Sequence, residues 1–241
     1  MQQFYTTFDA VFAANQLSEF ATDQHKQAYF ALCEHILTVN KVHNLTAIRD
    51  VPGVITKHFA DSLTIAAHIP QNSTLIDVGT GGGFPTLPLA LARPDLKITA
   101  IDSTAKKIAH VQNTASKFGL DHVTAIACRA EELAQTEFRE SFDVATARAV
   151  SELRILCEIT MPFVKVGGIL VAMKGAFGKK ELDDAQNAIQ KLGGILQSEH
   201  YFTLKDECGN EDERCIFVIK KIKSTPNNFP RQYAQILKKP L

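Results

Sequence analysis

Apolar positions change their spacing near residue 74, and the change divides the chain. Before it they recur at three- and four-residue steps. Phe8, Val11 and Phe12 mark a short amphipathic segment, and Tyr29, Leu32, Cys33, Ile36 and Leu37 a longer helix. Pro52 sits where it can open another, with Val54, Ile55, His58, Phe59, Ser62, Leu63 and Ala66 on one face. The polar turn Pro70-Gln71-Asn72-Ser73 follows. Beyond it, short apolar runs at 75–78, 97–102, 123–127, 142–149 and 167–175 alternate with helical periods, and 195–203 with 214–221 reads as a closing strand pair. Strands alternating with helices predict a mostly parallel α/β sheet wound on both sides. The expected division is an N-terminal helical extension over 1–70, a sheet domain over 71–224 and a basic tail over 225–241.

Composition narrows the class without naming it. With 241 residues, 45% hydrophobic and 22% charged, the chain can bury a real core. Neither a membrane-length apolar run nor the basic and apolar segments of a signal peptide are present, so a cytoplasmic protein is expected. Five cysteines, odd in number and without a C-x-x-C pair, suggest reduced thiols, and the scattered histidines argue against a metal site. Net charge is zero. Its distribution is uneven: Arg214, Lys220, Lys221, Lys223, Arg231, Lys238 and Lys239 run to the end without an acid. Such a block is either a solvated face or a surface that meets a polyanion. Truncation after Ser224 is expected to remove affinity for such a polyanion and leave the sheet and its ligand site intact.

The chemistry concentrates between Leu75 and Pro85. An apolar run ends in Asp77, four glycines in five residues follow, and a helix begins near Pro85. Neither frame from Gly79 or Gly81 completes G-x-G-x-x-G, and no Gly-Lys-Ser/Thr follows, so the dinucleotide and P-loop fingerprints both fail. The pattern present, Asp77-x-Gly79-x-Gly81-x-Gly83, resembles the first motif of class I S-adenosylmethionine (AdoMet) methyltransferases. That resemblance implies a glycine backbone beneath the methionine part and an acid near its amino group. About twenty residues on, a strand ends in Asp102, where a ribose-binding carboxylate is expected. Asp102 can equally cap the helix that follows it. The carboxyl ends of the strands, where ligands bind in such sheets, also carry Ala130, Glu131 and Arg148.

Longer matches extend the likeness. Asn44–Ile48, His58–Leu63, Asp77–Pro85, Arg93–Leu96, Asp102-Ser103, Arg129–Glu132, Ala147–Ala149, Met173–Gly175 and the Pro-containing tail resemble the RsmG family, ribosomal RNA small subunit methyltransferase G, also called GidB. The family implies a class I, Rossmann-like, mostly parallel seven-stranded sheet and AdoMet as methyl donor. Its target would be N7 of guanine 527 in the 530 loop of 16S rRNA, free or in a small-subunit particle, with no metal and no membrane. Carried over, the cofactor contacts are Asp77, Gly79, Gly81, Gly83, Phe84, Asp102, Ser103, Ala130, Glu131 and Arg148. No catalytic base is expected, because guanine N7 carries an exposed lone pair. Between Arg231 and Lys238 the chain has Gln-Tyr-Ala-Gln-Ile-Leu where the family pattern leads one to expect a turn with glycine and proline. Competing readings are a class I methyltransferase for another RNA, a protein or a small molecule, and a noncatalytic RNA-binding module.

Overall fold

The computed structural model describes residues 1–241. Helices α1 (Gln2–Ala14) and α2 (Asp23–His43) come first. Then α3 (Val51–Gly53), opened by Pro52 behind an Asp50 cap, runs into a π-helical stretch Val54–Ala60 and on into α4 (Asp61–Leu63). The wider π turn rotates His58 and Asp61 relative to the α-helical face read from the sequence.

From Thr74 strands alternate with helices: β1 (Thr74–Val78), α5 (Thr86–Ala92), β2 (Lys97–Asp102), α6 (Ala105–Lys117) and β3 (Val123–Ala127). Next come α7 (Ala130–Leu133), β4 (Phe142–Arg148), α8 (Leu153–Thr160), β5 (Val164–Gly175) and α9 (Gly178–Lys191). Then β6 (Gly194–Lys205), β7 (Glu211–Lys221) and a last helix α10 (Tyr233–Lys238) complete the chain. The residue pattern alone reads as helix over 183–192, and α9 begins five residues earlier, at Gly178. The sheet order is β3-β2-β1-β4-β5-β7-β6, with β7 antiparallel to both its neighbours. The order reverses between β1 and β4, so their carboxyl ends form the crevice where such sheets bind ligands.

Alternation along β1 separates two cores. Leu75 joins the face covered by the N-terminal helices, α5 and α6, where Phe8, Phe12, Tyr29 and Phe59 are fully buried. The buried Tyr29 hydroxyl donates to the Pro88 carbonyl at 2.8 Å, tying α2 to α5. Ile76 joins the opposite face, packed by α8, α9 and two tail residues, Phe229 and Ile236.

The tail is therefore docked. Arg231 donates to Glu158 at 2.7 and 2.5 Å, and that carboxylate is completely buried. Three more of the seven basic residues are also engaged. Lys221 is buried against the carbonyls of Met161 and Val164 and beside Glu140, Arg214 pairs with Asp61, and Lys220 reaches the Gly167 carbonyl. Only Lys223, Lys238 and Lys239 stand exposed without an ion pair. The departure from the family pattern at 232–237 is the helix α10 itself. All five cysteines are free, and no group of three His, Cys, Asp or Glu is placed to hold a metal ion. No helix is long and apolar enough to cross a membrane.

Candidate cofactor site

A cavity of about 520 Å³ opens at the carboxyl ends of β1, β2 and β4. Eight of the ten expected contacts line it: Gly79, Gly81, Phe84, Asp102, Ser103, Ala130, Glu131 and Arg148. The other two, Asp77 and Gly83, are buried and do not line it.

The floor is a turn that needs its glycines. At Gly79 (φ +77°) an added Cβ would come within 2.6 Å of Val150, and at Gly83 (φ +94°) within 2.5 Å of Leu87. At Gly81 (φ +58°) a Cβ meets nothing nearer than the Gly79 carbonyl at 4.0 Å, because it would project into the cavity itself. Asp102 pins this turn: one oxygen accepts from the Gly81 amide at 3.1 Å and the other from the Thr104 amide at 2.8 Å. The carboxylate thus caps the approach to α6 and still faces the cavity with lone pairs to spare.

Asp77 is fully buried. Its Oδ2 accepts from the Thr86 hydroxyl at 2.7 Å, while Oδ1 has no partner. Burial pushes its carboxyl up to about 6, against the opposing pull of the Thr86 and Thr80 hydroxyls and the Arg148 charge. A buried carboxylate with one orphan oxygen favours a cation above it. The open space over Gly81, the unpaired Asp77 oxygen and the cavity-lining Asp102 fit AdoMet, which carries an ammonium and two ribose hydroxyls.

The wall facing the glycines comes from the N-terminal half. Buried Asn40 accepts from the Thr46 amide and donates to the carbonyls of Thr46 and Ile48. This folds the 44–48 loop back and sets Leu45 and Thr46 into the cavity wall. His58 stacks on Phe84 at 3.9 Å, nearly parallel. Burial, with the Arg148 charge second, lowers the His58 imidazole to about 3, so it is neutral. Arg148 can only donate, so His58 Nδ1 accepts from it (3.3 Å) and Nε2 carries the proton towards Thr46 Oγ1 (2.7 Å). Arg148 also donates to the Lys57 carbonyl at 2.7 Å and to Asp61 at 2.8 Å, and Asp61 holds Arg214 on its other oxygen at 2.9 Å.

The opposite wall is lighter. Ala130-Glu131 opens α7, with Glu131 paired to Arg129 at 2.7 Å. The Arg129 guanidinium lies 5.2 Å from the ring of Tyr233, a tail residue that lines the cavity. The tail thus supplies part of the cavity wall, and truncation after Ser224 would remove it. Thr46, His58 and Tyr233 were the functional neighbours missed from sequence. The first two lie inside matched stretches, and Tyr233 lies where the pattern departs.

Fold and site define a class I AdoMet-dependent methyltransferase. One solved structure, M. jannaschii TYW2 in complex with AdoMet, shares the fold with a TM-score of 0.55 at 17% identity, over 67% of this chain and 75% of that one. The ribosomal protein L11 methylase of Lactobacillus delbrueckii subsp. bulgaricus gives 0.52 at 15% identity, over 69% and 79%. Sequence carries the assignment further. The family profile for rRNA small subunit methyltransferase G matches residues 25–208. Ribosomal RNA small subunit methyltransferase G of Leuconostoc citreum is 44% identical over 95% of this chain and 96% of its own length. The Brevibacillus brevis protein of that name is 40% identical over 97% and 98%. The chain belongs to the rRNA small subunit methyltransferase G family.

Proposed function

We propose that this chain methylates N7 of one guanine, position 527 in the 530 loop of 16S rRNA, acting in the cytoplasm on that RNA or on a small-subunit particle. The observation that carries the reading is the state of His58. It is the one histidine in the cavity wall, neutral, with both ring nitrogens engaged by Arg148 and Thr46. Methylating an amine or hydroxyl calls for a free proton acceptor beside the nucleophile. Guanine N7 needs none. Its lone pair forms the new N–C bond as the C–S bond electrons return to sulfur, and no proton leaves.

Bound AdoMet supplies an electrophilic methyl group; the protein's own residues hold and align. In this reading Asp102 accepts from the ribose hydroxyls, the Ala130–Glu131 backbone reads the adenine edge, and Gly79–Gly83 with Ser103 and Phe84 shape the floor. Asp77 places negative charge under the ammonium. Arg148, locked between His58 and Asp61, fixes the wall past which the nucleophile approaches, so catalysis rests on alignment.

The test is transfer of tritiated methyl from AdoMet to small subunits lacking the modification, followed by borohydride reduction and aniline cleavage, which cuts RNA at 7-methylguanine. Label and a single cut in the 530 loop are expected. Label in protein, label at another RNA position, or no transfer overturns the proposal.

A further inference from the structure

A second cavity, of about 550 Å³, abuts the first. It lies at the carboxyl ends of β4 and β5 and the start of β7, closed by Asp61 and Thr64 from the N-terminal half and by Glu181 from α9. The two cavities share only Arg148, Ala149 and Val150. That shared wall is conformationally special. Ala149 sits at φ +55°, where residues other than glycine are strained, and Val150 packs against the turn at Gly79. The two cavities therefore adjoin at three residues.

We infer that the second cavity is the acceptor pocket, holding one guanine turned out of the RNA, and that Glu181 reads its Watson–Crick edge. This rests on the guanine-N7 reading above. Of the two carboxylates in the lining, Asp61 has both oxygens committed to Arg148 and Arg214. Glu181 does not. One oxygen takes both Lys174, at 2.6 Å, and the Leu153 amide, at 2.8 Å, and no protein donor reaches the other. Guanine presents two donors on that edge, N1–H and the N2 amino group, matching a carboxylate acceptor. As N7 accepts the methyl group, positive charge spreads through the ring and N1–H becomes a stronger donor. Its bond to Glu181 is then tighter in the transition state than in the ground state, which is the condition for raising the rate. Phe202 adds an aromatic side chain to the lining. Phe177, 79% exposed on the loop between Gly175 and α9, offers a ring on which a neighbouring unpaired base can stack.

Two variants test the assignment in the full-length protein, with AdoMet binding measured by calorimetry alongside methyl transfer to small-subunit rRNA. Thr64→Trp fills the second cavity from a residue outside the first; it should bind AdoMet as wild type does and transfer no methyl. Glu181→Gln decides the matter whether or not the tryptophan variant folds. Lys174 and Leu153 both donate, so they hold the glutamine oxygen and turn its amino group towards the donor edge of the base. Transfer to guanine should fall by about 10- to 100-fold in kcat/KM, with AdoMet affinity within about twofold. Inosine at the target position lacks the N2 amino group, so wild type should prefer guanine by about tenfold and the variant should lose that preference. A merely structural Glu181 would lower both substrates alike. An unchanged guanine-to-inosine ratio in Glu181→Gln, or wild-type transfer by a Thr64→Trp protein that binds AdoMet, overturns the pocket. Wild-type protein that fails to methylate guanine at all overturns the guanine-N7 reading instead.

Discussion

Asp61 and Asp77 are buried carboxylates that both feel Arg148, yet they are satisfied in opposite ways. Asp61 lies between two guanidiniums, each on its own oxygen. Its charge is matched within the protein, and the match ties α4 to the end of β4 and the start of β7. Asp77 has one hydroxyl donor, Thr86, on one oxygen and nothing on the other. Its charge is left wanting under the glycine turn, and burial holds the proton on it more tightly. The difference teaches where the fold spends charge on itself and where it reserves charge for a ligand.

The tail bears hardest on that comparison, because Glu158 is a third buried carboxylate and Arg231 is its partner. Truncation after Ser224 strips Arg231 from Glu158 and removes Phe229 and Ile236 from the core. It should cost more than about 4 kcal/mol, enough to unfold much of the protein, with AdoMet binding lost alongside RNA binding. Calorimetric melting checks this. A truncated chain that melts and binds AdoMet like wild type would return the tail to the role of a separate RNA arm.

Next in size is Asp61→Asn, which leaves Arg148 and Arg214 facing each other without their shared anion. A loss of about 3 kcal/mol in urea denaturation is expected, with AdoMet affinity falling because Arg148 is released from its place. Stability within about 0.5 kcal/mol of wild type would mean the clamp is ornamental.

Asp102→Ala acts on the ligand and on the turn that Gly81 donates from. AdoMet affinity should weaken by about 2 kcal/mol, roughly 30-fold, the scale of losing charge-assisted hydrogen bonds. Unchanged affinity in an intact fold would leave Asp102 as a cap alone.

Asp77→Asn gives the most direct reading of the contrast. The folded pKa of Asp77 lies near 6, above its ordinary 3.8. Between those values the native state holds a proton that the unfolded chain has released, so stability falls as pH rises from about 4 to about 6 and stays lower above. The penalty is about 3 kcal/mol, and the asparagine variant should lack that slope. An ammonium above Asp77 favours the ionised form, so AdoMet should bind wild type more weakly below about pH 6. Parallel pH profiles of stability for the two proteins would count against the buried charge.

Much of the fold was legible because it follows from local pattern. The apolar runs that became β1 to β4 fell within a residue or so of the observed strands; the buried β1 and β4 read as continuous hydrophobic stretches, and β2 and the edge strand β3 as short apolar runs between polar turns. The start of α9 was missed: Gly178-Lys179-Lys180 carries no apolar signal, and Gly178 is placed by close packing on Cys215 and Phe217. The floor of the site was legible for a similar reason, because a turn with three positive-φ residues needs glycine wherever it occurs. The wall opposite was not. Thr46 and His58 reach the cavity through a loop folded on Asn40 and a π-helical turn, neither of which has a readable period.

Charge shows the limit most clearly. The sequence alone determined the sheet, its glycine turn, the acids at the ends of β1 and β2, and family membership, because each is written in neighbouring residues or in spacings along one element. It also displayed seven basic residues in an acid-free terminal block. Only the tertiary structure decided that Arg214, Lys221 and Arg231 spend their charge on Asp61, Glu140 and Glu158, whose positions lie 153, 81 and 73 residues away along the chain. Ion pairing depends on distance in space, and spacing in sequence does not carry it.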